Sequence, residues 1–121
     1  QAPGSITTAK FSLKRLDAAK SKERRIAWFE SNGMHDLANH TRIFYLENLM
    51  WLYRMVQVET EDRVVARKTC RELYRKFWHV YSKKLMRQKP QKMRLRCILF
   101  MLLPNVYSSI EYVRLKRKGA R

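Results

Sequence analysis

The sixteen residues IFYLENLMWLYRMVQV, positions 43–58, decide the fold of this protein. Twelve of these 16 residues are apolar, and the exceptions are Glu47, Asn48, Arg54 and Gln57. A helix that is apolar on almost every side belongs in the middle of a bundle, where other helices cover it. The segment therefore predicts a central helix, the second of the chain, from about Asp36 to about Val58.

The rest of the sequence favours further helices around this centre. The chain has 121 residues with only three Gly and three Pro, too few for the many turns of an all-β protein. Apolar residues recur at helical spacing, and no alternation of apolar and polar residues marks a strand. We predict an all-α bundle of four to five helices over residues 12–121, preceded by a loop over residues 1–11.

The protein is strongly basic, and its charge is uneven along the chain. Lys and Arg number 27 against 10 Asp and Glu, a formal charge of +17. Residues 61–89 carry ten bases and three acids, and residues 90–121 carry eight bases and one acid. Such an excess favours an anionic partner, either a nucleic acid or a membrane surface.

Four arginines recur every four residues on the predicted third helix, which runs to about Met86. They are Arg63, Arg67, Arg71 and Arg75. Like charges at this spacing repel each other on a helix surface. Two interpretations stay open: a solvated face relieved by nearby acids, or a platform for anionic groups such as phosphates or lipid head groups.

The C-terminal third combines an apolar run with basic flanks. Residues 97–103 read CILFMLL, a run too short to cross a bilayer. Its predicted inner face is formed by Leu95, Ile98, Leu99 and Leu102. The basic residues predicted to meet anions or a membrane surface are Arg94, Arg96, Arg114, Lys116, Arg117 and Lys118. This pattern is typical of a helix in the membrane interface, and the alternative is ordinary packing with solvated basic ends.

Neither a catalytic nor a metal-binding set of residues emerges. His35, His40 and His79 lack the spacing of metal ligands. Cys70 and Cys97 have no Cys-x-x-Cys context and are predicted to be buried. We therefore predict no catalytic residue, no metal site and no cofactor in this chain.

Several short stretches occur in a recognisable order. They are GSIT at residues 4–7, FSLKRLD at 11–17, ERRI at 23–26, WF at 28–29, KMRLR at 92–96, LF at 99–100 and LPNVY at 103–107. In this order they resemble the region that follows the catalytic domain in bacterial family 2 glycosyltransferases, which build capsular, exo- and cell-wall polysaccharides. The resemblance covers nearly the whole chain.

The resemblance implies that this chain is a C-terminal accessory domain, with the catalytic part upstream. The divalent metal and the nucleotide-sugar donor would belong to that part, since this sequence has no Asp-x-Asp motif. Only Gly4 and Ser5 would border the active site. The implied roles are support of the catalytic domain, homo-oligomerisation, or docking in the cytoplasm on the inner face of the cell membrane. The alternative from the residues is a basic helical module that binds nucleic acid.

Overall fold

A computed structural model describes the backbone of residues 3–87 and 89–119, and the side chains of residues 15–87, 89–114, 116 and 117. This part of the chain is all helical and contains no strand, which confirms the predicted fold class. The helices are α1 (Pro3–Ser31), α2 (His35–Glu59), α3 (Arg63–Val80), α4 (Lys83–Met86), α5 (Gln91–Leu102) and α6 (Pro104–Gly119). The chain divides into two compact units between Tyr81 and Ser82.

The first unit is built around α2, which packs against both α1 and α3. Ala38, Leu46, Leu49 and Leu52 of α2 are completely buried. Arg54, one of the polar exceptions in its apolar run, is buried as well. The predicted central position of the second helix is therefore confirmed within this unit.

Charged and aromatic side chains join α1 to the far end of α2. The Arg15 guanidinium donates to Glu59 Oε2 at 3.0 Å and lies 4.6 Å from the ring centroid of Trp51. An arginine over an indole ring gains from the negative face of the π-system. These contacts fix α1 along α2 in addition to apolar burial.

The end of α1 and the start of α3 follow from local chemistry. Gly33 adopts a φ of 70°, the left-handed conformation that ends a helix cheaply only at glycine. The Asp62 carboxylate caps α3 by accepting from the backbone N–H groups of Val64 at 2.9 Å and Val65 at 3.3 Å. The chain therefore leaves α1 and enters α3 at points that the sequence marks.

The loop predicted for residues 1–11 is wrong for the described residues 3–11, because α1 already begins at Pro3. Proline suits the first turn of a helix, where its missing N–H would have no partner. Residues 5–31 contain neither Gly nor Pro, so the sequence supplies no stop before Asn32. Residues 1 and 2 lie outside the described part.

The number of helices also exceeds the predicted four to five, since the third helix does not run to Met86. It ends at Val80, and the one-turn helix α4 follows it. The Ser82 hydroxyl accepts from the backbone N–H of Leu85 at 3.0 Å, so it caps a new helix instead of continuing the old one.

In the second unit, α5 and α6 form a helical hairpin joined by Leu103. Cys97 and Phe100 are fully buried, whereas Leu95 and Leu102 are 57% and 70% exposed. Of the predicted inner face of Leu95, Ile98, Leu99 and Leu102, only Leu99 is half-buried. The prediction is wrong for the other three, and α5 is rotated to bury a neighbouring stripe. The physical reason is the polar contact of Arg96 with α6, described below.

Candidate anion-binding surfaces

The outer face of α3 is a basic stripe, which we define as Arg67, Lys68, Arg71 and Arg75. All four side chains are exposed. No ion pair or hydrogen bond involves them within the part of the chain that the structure describes. Val64 and Trp78, also exposed, lie at the two ends of the stripe by helical spacing.

The opposite face of α3 explains why the basic stripe points outwards. Ala66, Cys70, Leu73 and Phe77 are buried at alternating spacings of four and three residues. The Cys70 thiol donates to the Tyr53 carbonyl oxygen of α2 at 3.6 Å. Cys70 is buried, so it is a core residue as predicted, and this burial raises the pKa of its thiol to about 11.

Arg63 differs from the other three members of the predicted ladder. Its guanidinium donates to the carbonyl oxygen of Gln57 at 3.1 Å and to that of Thr60. These carbonyl groups lie at the C-terminal end of α2, where four carbonyls lack partners within the helix. Arg63 therefore stabilises a helix end, which leaves the basic stripe as the free part of the ladder.

The C-terminal half of α3 is tied to α1 and α2 through Glu23. The Glu23 carboxylate accepts from Lys76 Nζ at 2.9 Å and from the Tyr45 hydroxyl. Partial burial by itself raises the pKa of Glu23, but the hydrogen bonds from Tyr45 and Lys76 outweigh it and hold the pKa below the usual value. Burial and the adjacent carboxylate raise the pKa of Tyr45 well above its usual range.

A polar cluster joins α5 to α6. Arg96 Nε and Nη2 donate to the Tyr107 hydroxyl oxygen at 3.1 and 3.0 Å, and Tyr107 donates to Glu111 Oε1 at 3.1 Å. Burial is the main cause of the raised pKa of Tyr107. Phe100 packs edge-on against the Tyr107 ring at a centroid distance of 5.9 Å. This cluster sets the rotation of α5 and turns Leu95, Ile98 and Leu102 outwards.

Both helices of the hairpin consequently carry an exposed apolar stripe. On α5 it consists of Leu95, Ile98 and Leu102, and on α6 of Val106, Ile110 and Val113. Leu103, between the helices, is also exposed. We call these seven residues the hairpin apolar stripe. Basic residues lie at the helix ends far from the turn: Lys92 near the start of α5, and Lys116 and Arg117 near the end of α6.

The other residues predicted to meet anions have different surroundings. Arg94 is exposed, and Arg114 pairs with Glu111 at 3.3 Å while staying half exposed. Arg96 is largely engaged in the Tyr107 cluster and is less accessible than predicted from its place beside the apolar run. The side chains of Lys118, Gly4 and Ser5 lie outside the described part, so their assigned roles stay predictions.

Sequence reasoning missed the two acids that organise these surfaces. Neither Glu23 nor Glu111 is among the residues predicted to act at a surface, and Glu111 is the single acid of residues 90–121. The isolation of Glu111 was a usable signal, because a lone acid among eight bases attracts them. Nothing local pointed to Glu23, whose partners come from α2 and α3.

No group of three or more His, Cys, Asp or Glu side chains that could hold a metal occurs among the residues described here. Within the same residues, no helix combines the length and hydropathy needed to cross a membrane. Comparisons with protein-family models, with curated proteins and with solved structures find no match.

Proposed function

We propose that this chain is the C-terminal accessory domain of a protein resembling a bacterial family 2 glycosyltransferase, and that its α5–α6 hairpin docks that protein on an anionic membrane surface. One observation carries the docking role: the hairpin apolar stripe is exposed and has cations at its ends. Soluble proteins rarely leave a contiguous apolar surface open unless something covers it.

The order of residues along the hairpin matches the layers of a membrane interface. The turn, with Leu102 and Leu103, is apolar and exposed. Lys92 and Arg117 lie at the opposite end of each helix. A hairpin that lays its apolar residues into the acyl boundary would keep these cations among the phosphates, and long basic side chains can reach outwards to do so. Each cation near an anionic surface contributes roughly 1 kcal/mol.

The experiment is co-sedimentation of the protein with vesicles of phosphatidylcholine alone, or with about a quarter phosphatidylglycerol. We expect binding that needs the anionic lipid and weakens with salt, because counterions screen the electrostatic part. The apolar part persists in salt. A protein that stays in the supernatant with anionic vesicles at low salt would contradict the docking role.

Matched variants separate the apolar contribution from nonspecific effects. Leu102→Gln should reduce vesicle binding, because Leu102 is the most exposed leucine of the hairpin stripe. Leu37→Gln, at a half-exposed position of α2, is the control and should leave binding unchanged.

For the contribution of charge, Arg117→Gln should weaken vesicle binding about fivefold, as expected for the loss of roughly 1 kcal/mol. The charge control is Arg24→Gln, which replaces an exposed arginine of α1 and should leave vesicle binding unchanged.

The nucleic-acid alternative has its own supporting observation, the basic stripe of α3. Phosphate contacts by Lys and Arg bind nucleic acid without sequence preference and with strong salt dependence. A duplex DNA or an RNA titration would support this alternative if affinity fell with Arg67→Gln and Arg71→Gln but not with Leu102→Gln. The reverse pattern, vesicle binding lost with Leu102→Gln, supports the membrane role.

The enzymatic part of the proposal has a separate test. The purified chain should neither transfer sugar nor hydrolyse nucleotide-sugars, because the resemblance assigns the metal and the donor to an upstream part. Turnover of a donor by this chain alone, in a preparation free of contaminating enzyme, would contradict the accessory role.

A further inference from the structure

A pocket of about 760 Å³ opens in the first unit. Its walls come from α1 and α3, and Arg42 and Tyr45 of α2 contribute to its lining. This volume falls within the range of small-molecule sites, roughly 300–1,000 Å³. The hairpin apolar stripe belongs to the other unit, so nothing inferred about this pocket depends on the proposed membrane docking.

Two of the lining cations already have partners within the protein. Lys76 pairs with Glu23 at 2.9 Å, and the carboxylate also accepts from Tyr45. Arg42 pairs with Glu30. These contacts neutralise charge on the pocket wall and hold the side chains in place, which is what a preformed site requires.

Two further donors on the same wall have no such partner. Arg75 and His79 lie one helical turn apart on α3 and are both exposed. Among the described residues, neither makes a hydrogen bond or an ion pair. Glu72, one turn before Arg75, also lines the pocket, so the wall carries two carboxylates, Glu23 and Glu72, against three Lys and Arg side chains. Along α3 as a whole Glu72 is the single acid against six bases, so the field of this helix still favours an anion.

The rest of the lining is suited to an apolar group. Ile26 of α1 and Val80 of α3 line the pocket, together with the buried Tyr45. Sites of this kind bind ligands through an apolar wall and orient them with a few polar groups. Arg75 and His79 supply the polar end, because a guanidinium and an imidazole N–H both donate to phosphate oxygens.

We propose that this pocket binds a small amphipathic phosphate, with the phosphate against Arg75 and His79 and its apolar chain against Ile26 and Val80. A phosphate monoester on a single alkyl chain has this chemistry. A phospholipid head group with short chains shares it.

The test is isothermal titration of the whole protein with n-octyl phosphate below its micellar concentration. Inorganic phosphate and octyl glucoside are the comparison ligands, since each retains only one half of the chemistry. We expect saturable binding of octyl phosphate and affinities lower by at least about tenfold for both comparison ligands. Absence of saturable octyl phosphate binding would overturn the proposal, and so would equal affinity for inorganic phosphate.

Two variants on one helix locate the site. Arg75→Gln should weaken octyl phosphate binding by about tenfold or more, the usual effect of losing a charge-assisted hydrogen bond. Arg67→Gln removes the same charge two turns earlier on the basic stripe and should change affinity less than about twofold, since its effect is only long-range and screened. Equal losses in both variants would show general electrostatic attraction and overturn the pocket assignment.

Two additional measurements complete the design. Val80→Ala should weaken binding of octyl phosphate while leaving that of inorganic phosphate unchanged. An unaltered octyl phosphate affinity would contradict the proposed contact of the alkyl chain with Val80.

Dihexanoyl phosphatidic acid identifies the source of the ligand. Its binding, lost with Arg75→Gln, supports a lipid head group, whereas binding of octyl phosphate alone supports a single-chain phosphate. Circular dichroism checks that each variant remains folded.

Discussion

Lys76 of α3 and Glu23 of α1 form an ion pair at 2.9 Å, and the Tyr45 hydroxyl of α2 donates to the same carboxylate. One side chain thereby joins all three helices of the first unit. The pair is well over a third exposed, so water screens it. Its importance lies in geometry, because it fixes the separation of α1 and α3 beside the pocket.

The first prediction concerns the pH dependence of this contact. The folded-state pKa of Glu23 is lowered, so the contact stabilises the protein above the unfolded-state pKa and ceases to do so as pH falls through the folded-state value. Glu23→Gln should lower the free energy of unfolding by about 1 kcal/mol near neutral pH, at the low end for a hydrogen-bonded charge because of exposure. Urea denaturation at several pH values from neutral downwards measures this difference, which should shrink as the pH falls through the folded-state pKa of Glu23.

Asp17→Asn is the control for this measurement. Asp17 is an exposed carboxylate of the same helix, and it makes no hydrogen bond or ion pair with the residues that the structure describes. A pH-dependent loss as large as that of Glu23→Gln would show that net charge, not the Tyr45 and Lys76 contacts, sets the effect.

The second prediction concerns the centre of the first unit. Leu49→Ala should cost about 2–5 kcal/mol, because a fully buried leucine leaves a cavity when it is truncated. Leu37→Ala makes the same chemical change at a half-exposed position of the same helix and should cost under about 1 kcal/mol. Chemical denaturation compares the two, and equal losses would mean that α2 is not the centre.

The third prediction separates the arginines of α3. Arg63→Gln should destabilise the protein by about 1 kcal/mol, since it removes donors from two carbonyls at the end of α2. Arg71→Gln should change stability by less than about 0.5 kcal/mol or increase it, because repulsion within the basic stripe falls. Thermal unfolding distinguishes them, and a marked loss for Arg71→Gln would reveal a structural partner.

The fourth prediction concerns the hairpin. Tyr107→Phe keeps the ring that packs against Phe100 but removes the hydroxyl between Arg96 and Glu111. The free energy of local opening of α5 and α6 should fall by about 1–2 kcal/mol, because the partly buried Arg96 and Glu111 side chains lose a partner. Amide hydrogen exchange of these two helices measures it. Tyr112→Phe, at an exposed position of α6, should leave exchange unchanged.

How much of this could be predicted from the sequence differs between the two units. The near-continuous hydrophobicity of residues 43–58 predicted the central α2, because a helix apolar on all sides has only one place in a bundle. The end of α1 at Gly33 also has a local cause, because glycine readily adopts the φ of 70° found there. Cys70 was predicted to be buried and is buried, with Leu73 and Phe77 on the same face of α3.

The rotation of α5 could not be obtained in this way. Its sequence contains two apolar stripes, one through Leu95 and Leu102 and one through Cys97 and Phe100. The first stripe is exposed although its residues are the more hydrophobic, and the second is buried. The rotation of α5 is set by Arg96, whose guanidinium donates to the Tyr107 hydroxyl on α6. A contact eleven residues away is not visible in helical periodicity.

The sequence by itself determined the fold class, the central helix and the basic character of the outer faces, because each depends on composition and spacing within one segment. Only the tertiary structure decided what each basic residue does. Arg63 caps α2, Arg71 faces solvent, and Arg75 lines a pocket, although all three share one spacing on one helix. The physical reason is that the surroundings of each charge depend on how the helices end and pack, which the spacing along one helix does not contain.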